Sequence, residues 1–120
     1  MRNDKENIIV KKSFQFALDI VKYCEELESN KKFIVARQLL KSGTSIGANV
    51  REAQNAESKP DFIHKLKIAA KEADETEYWL LICKHSSSYP FEEKLLNSVE
   101  ELIRLLSKII SSSKNNLKTM

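Results

Sequence analysis

Phe62, Leu66, Ala69, Ala73, Thr76, Leu80 and Cys83 follow one another at alternating spacings of four and three residues. That alternation puts every one of these side chains on a single stripe of an α-helix. A helix with one apolar stripe must bury it, and similar helices are its natural partners. The stripe is about 22 residues long and has clear ends. Ser58 suits the N-cap, Pro60 the first turn, and Asp61 the positive helix terminus. The run Ser86-Ser87-Ser88-Tyr89-Pro90 closes it, because proline resists continuing a helix.

Three more segments have the same periodicity. The first helix is expected over residues 13–28, with Phe14, Ala17, Ile20 or Val21, Cys24 and Leu27 on its apolar face. Asn30 follows as a residue able to take the left-handed C-cap conformation. The second helix is expected over residues 32–56. Its stripe is Ala36, Leu39, Leu40, Gly43, Ile46, Gly47, Val50 and Ala53. The stripe passes through both glycines without changing phase. Gly43 and Gly47 therefore read as places where a neighbouring backbone comes close, with a bend as the alternative. The fourth helix is expected over residues 91–110, with Leu95, Val99, Leu102, Leu106 and Ile109 on one stripe. Leu96, Ile103 and Ile110 form a second stripe. The two together are wider than one bundle seam needs, which points to self-association through this helix.

A 120-residue chain with only two Gly, two Pro and 31% charged residues fits long helices joined by short connections. The fold expected is all-α, an up-down-up-down antiparallel four-helix bundle. Residues 1–12 read as an N-terminal extension, 13–110 as the bundle, and 111–120 as a polar, flexible tail. The apolar stretch Ile8 to Val10 is too short for a signal-peptide core. No run approaches the roughly 18 apolar residues of a membrane span. The expected location is the cytoplasm, with no membrane partner.

Little in the chain resembles a reaction centre. Cys24 and Cys83 lie in helical segments, with no CxxC or Cys/His cluster, and read as small packing residues. Di-metal bundles use paired Glu-x-x-His motifs. The nearest match, Asp61 to His64, occurs once. Glu72, Asp74, Glu75 and Glu77 read as a solvated acidic face, with Lys71 pairing with Glu75. No catalytic residue, metal or cofactor is expected.

Net charge is +3, and its placement says more than its size. Residues 29–57 carry +3 against −3 over residues 13–28. On the basic second helix, Arg37, Lys41 and Arg51 share one side. They read as a solvated face, as partners for the acidic first helix, or as phosphate contacts for nucleic acid. Ser45 and Asn49 share another side with Gln38 and Glu52, and read as packing or subunit-contact residues.

The run from Gln38 to Ala53, with Ser42-Gly43-Thr44-Ser45-Ile46-Gly47-Ala48-Asn49 at its centre, resembles the signature of the four helix bundle protein family. These proteins are encoded in intervening sequences of bacterial large-subunit rRNA genes. Asp61-Phe62-Ile63, Glu75 to Leu80 and Glu101 to Ile110 resemble its later segments. The resemblance spans about residues 10–112. It implies a bacterial protein of unassigned activity that assembles as a ring-like homopentamer. A related member, the accessory variability protein of diversity-generating retroelements, binds nucleic acid and a reverse transcriptase. The family's signature positions map to Ser45, Ile46, Asn49 and Glu52. The functional expectation is a non-catalytic, self-associating interaction or scaffold protein. The alternative is a nucleic-acid-binding accessory protein, and another protein stands as a further partner.

Overall fold

The structure is a computed structural model that describes residues 4–119, with side chains from 8 to 116. Four α-helices follow one another: α1 Asp4–Ser29, α2 Phe33–Ala53, α3 Lys59–His85 and α4 Glu93–Thr119. The body measures 53 × 21 × 21 Å. Helices of 21 to 27 residues are about 30–40 Å long at ~1.5 Å per residue, so all four must lie along the long axis. Each short connection then reverses the chain. α1 packs beside α2 and α4, and α3 beside α2 and α4, while diagonal helices never bring their Cα atoms within 8 Å.

The outer helices are longer than their apolar periodicity suggests. α1 begins at Asp4, inside the segment read as an extension, and Ile9 is fully buried. α4 runs to Thr119, through the segment read as a flexible tail, because Ser113 continues the stripe of Leu102, Leu106 and Ile109 and is itself buried. A serine at a seam position looks polar in sequence and packs as a small residue in the fold.

The ends are set by local chemistry. At the end of α1 the left-handed residue is Lys31 (φ 63°), not Asn30. The Lys32 amide reaches back to the Leu27 carbonyl at 2.8 Å and the Lys31 amide to Glu28 at 2.9 Å, the double closure of a Schellman turn. Asn30 instead uses its side-chain amide to cap the Glu26 carbonyl. α3 starts as its cap predicts: Ser58 Oγ accepts from the Asp61 amide, and Asp61 accepts from the Glu57 amide. The α3–α4 connection is tied down by Tyr23, whose hydroxyl donates to the Pro90 carbonyl at 2.6 Å.

The α3 stripe is buried along its whole predicted length, with Ile63 added. The α1 stripe is not. Its buried residues are Ile9, Ser13, Phe16, Ile20, Tyr23 and Leu27, with Cys24 alongside, while Phe14 and Val21 are exposed. On α2, Leu40 is exposed and Val35 and Ser42 join the core. α4 buries Leu96 and packs Ile103 and Ile110 against the core, so its wide face is largely covered by its own chain.

The glycines sit where α2 meets α1. A Cβ on Gly43 would lie 2.9 Å from Cγ2 and 3.3 Å from Cβ of Ile20; one on Gly47 would lie 3.2 Å from the Ser13 carbonyl oxygen. Ile20 is fully buried and cannot swing away. Gly43→Ala is therefore expected to destabilise by on the order of 1 kcal/mol. Overpacking of roughly 1–3 kcal/mol outweighs a helix-propensity gain of about 1 kcal/mol. A thermal melt checks this, and a raised Tm would contradict the tight crossing.

Candidate interaction surfaces

The two cysteine thiols are held in unreactive states. Cys24 and Cys83 are buried. Burial, with Cys83 and Glu28 nearby, pushes the Cys24 thiol up to about 12. Burial also raises Cys83, against a hydrogen bond with Tyr23 that lowers it. Both thiols stay protonated at neutral pH, the opposite of a nucleophile. They lie on diagonal helices whose Cα atoms stay more than 8 Å apart, too far for a disulfide.

The α3 acids do not converge. Among the described residues no group of three His, Cys, Asp or Glu could hold a metal ion. Asp61 is engaged at the helix cap and His64 is exposed. Glu75 accepts from Trp79 Nε1 at 3.2 Å and forms no ion pair with Lys71 among the described residues. The expected Lys71–Glu75 pair is thus replaced by an indole contact on the same helix. Glu72 is raised by burial and by Glu75, with Lys41 opposing. Glu77 is raised by burial, by a hydrogen bond to Glu100 across the α3–α4 seam, and by Asp74.

The three cations singled out on α2, Arg37, Lys41 and Arg51, are all exposed. None forms an ion pair with a described residue; the acids of α1 do not neutralise them. Ion pairs instead link Lys12 to Glu101, Lys65 to Glu52 and Lys84 to Glu93, all across neighbouring helices and partly exposed. Such pairs contribute little to stability. Ser45 and Asn49 are half-buried and bond along their own helix: Ser45 Oγ donates to the Lys41 carbonyl at 2.6 Å and Asn49 Nδ2 to the Ser45 carbonyl at 2.9 Å.

An unpartnered apolar feature lies on α1. Val10, Phe14, Ala17 and Val21 form a second stripe at spacings of four, three and four, outside the core stripe. Phe14 is 58% exposed, Leu18 beside it 49% and Val21 40%. Between this stripe and α2 runs a groove of about 680 Å³. Val10, Phe14 and Ala17 form one wall, and Thr44, Ala48 and Arg51 the other. Gly47 lines it too, where it packs against Ser13, and Lys11 and Arg51 are the cations among its lining residues. Among the described residues no carboxylate lines it. The sequence places Phe14 on the core stripe and Arg51 on a separate basic stripe, which leaves unseen that they share one groove. The spacing of Val10 to Val21 is the signal that could have found it.

The acid pair across α3 and α4 gives a pH test. The folded state holds the Glu77 carboxyl above its unfolded value, so it binds that proton more tightly than the unfolded chain does. The associated stability is present at low pH and is lost as pH rises through the folded pKa. Glu77→Gln is expected to raise Tm at pH 7 and to flatten its dependence between pH 4 and 7. Unchanged melts across that range would contradict the coupling.

Comparison with known proteins finds a family relationship. The family model described as 23S rRNA-intervening sequence protein matches residues 5–112. A crystal structure of a protein of unknown function from the S23 ribosomal protein family of Bacteroides thetaiotaomicron is similar, with a TM-score of 0.84 and 45% identity. The similarity covers 89% of this chain and 98% of that one. No curated protein matches the chain.

Proposed function

The chain belongs to the 23S rRNA-intervening sequence protein family, and from that premise we propose that it is a non-catalytic, self-associating interaction protein of the cytoplasm. The observation that carries this reading is the exposed α1 stripe of Phe14, Leu18 and Val21, set beside an apolar groove on a helix whose other face is already buried. Contiguous apolar surface of this kind marks interaction sites. Protonated, buried thiols and dispersed acids support a role in binding over one in catalysis. The stoichiometry expected from the family resemblance is a ring of five. The surface that carries the proposal is on α1 and α2, not on α4. Light scattering on the purified protein should give a mass several times the 13.8 kDa of one chain. A monomer at micromolar concentration overturns the reading.

A second reading, binding of structured nucleic acid, is favoured by one observation. Arg37, Lys41 and Arg51 are exposed on one side of α2 and unpaired with the described acids. Phosphate contacts of this kind weaken with salt, by a slope of about 0.9 per contact on duplex DNA. Structured RNA or duplex DNA should bind at low salt. Replacing all three residues by Ala should abolish binding and the salt slope with it. Absence of binding at low salt ends this reading and leaves the first intact.

A further inference from the structure

Self-association leaves unanswered which face meets which, and two of the exposed apolar patches, apart from Phe33 and Ile34 at the start of α2, differ in charge character. The first is the α1–α2 groove, apolar along Val10, Phe14 and Ala17, with Lys11 and Arg51 as the charged groups among its described lining residues. The second lies on the outer side of α3. Tyr78 is 61% exposed there and Leu81, three residues on, is exposed as well. Trp79 stands edge-on to Tyr78 with ring centroids 5.7 Å apart, and its Nε1 is held by Glu75. Asp74, Glu75 and Glu77 precede this patch in sequence; the nearest cation after it, Lys84, is ion-paired with Glu93, so its local charge is negative.

We propose that the Tyr78–Leu81 patch of one copy seats in the α1–α2 groove of a second copy. This rests on the self-association reading and adds the pairing of faces. Groove against groove would bring Lys11 and Arg51 of both copies together, and patch against patch would do the same with Asp74 and Glu75. Like charges brought together at an interface oppose association. Of these three pairings, the unlike one puts cations beside carboxylates. The groove volume falls within the roughly 300–1,000 Å³ of clefts that accept anchoring groups. Tyrosine is among the residues most often found as such an anchor. The Tyr78 hydroxyl makes no hydrogen bond among the described residues, while Thr44, Gln54 and Asn55 line the groove with polar groups. Because each copy then has a groove and a patch, the contact is heterologous and continues from copy to copy instead of stopping at a symmetric dimer.

The test uses two full-length variants with exposed substitutions. Lys11→Glu/Arg51→Glu spoils the groove and keeps the patch; Tyr78→Ser/Leu81→Ser spoils the patch and keeps the groove. Circular dichroism confirms that each is helical. Each alone is expected to be a monomer, and an equimolar mixture to reach twice the 13.8 kDa chain mass by light scattering, since one sound groove and one sound patch remain. If either variant misfolds, oxidative cross-linking of Ala48→Cys with Tyr78→Cys, mixed as separate chains, reads the same contact. It should exceed cross-linking within either variant alone. If wild type associates but the patch variant does so equally, or the mixture stays monomeric, the pairing is wrong and self-association stands. If wild type is a monomer, both fall.

Discussion

Where α2 crosses α1, the backbone of one helix rests on the other. Gly43 leaves room for the branched side chain of Ile20, and Gly47 for the carbonyl of Ser13. Ser13 is itself small and fully buried, and its hydroxyl turns back to the Val10 carbonyl at 3.3 Å. Small residues on both helices therefore set the separation. That separation has a consequence on the outer surface. With no side chain on Gly47 and only methyls on Ala17 and Ala48, the cleft between the helices stays open, and Val10 and Phe14 line it instead of closing it. The groove and the tight crossing are two sides of one contact.

The opposite side of α2 is joined to α3 by a different device. The Ser42 and Thr76 hydroxyls, both buried, hydrogen-bond each other at 2.9 Å, and Thr76 also lies 2.7 Å from the Glu72 carbonyl. Among the described residues no buried side-chain polar atom lacks a partner. Each hydroxyl also has a carbonyl partner on its own helix, so sliding α2 along α3 strands neither but loses the bond between them, worth about 0.5–1.5 kcal/mol. The pair thus favours one register in a seam otherwise made of interchangeable aliphatic contacts. Tyr23 does the same at the far end, where it ties α1 to the α3–α4 connection through Pro90.

How much of this was legible depended on how many apolar stripes each helix has. α3 has one, and its buried residues were readable position by position except Ile63. α4 has two adjoining stripes; both were readable, but not that the chain covers Leu96, Ile103 and Ile110 largely by itself. α1 has an inner stripe interrupted by Ser13 and Tyr23 and an outer stripe led by Phe14. Periodicity ranks Phe14 above Ser13, because it counts hydrophobicity and has no knowledge of the glycine opposite. The close approach at Gly47 reverses that ranking: only a small residue fits beneath it, and Phe14 is turned outward. The cations at the candidate site were legible as a stripe on α2. Their union with an apolar wall from α1 was not, since the phase of α1 had to be known first.

Arg51 belongs to both functional readings, and that sets a limit on combining them. It is one of the exposed cations of α2 and also a wall of the groove. A partner seated in the groove would place its own groups beside the guanidinium, whose fixed fork then points at a carboxylate and not at a phosphate. Lys41 lies outside the groove, exposed and without an ion pair to a described residue. An assembled protein would thus meet nucleic acid chiefly through Arg37 and Lys41, repeated once per copy around the assembly. Single weak contacts of that kind gain strength only through repetition. Phosphate binding by this chain would then depend on assembly for its avidity, even though assembly withdraws one of the cations that suggested it.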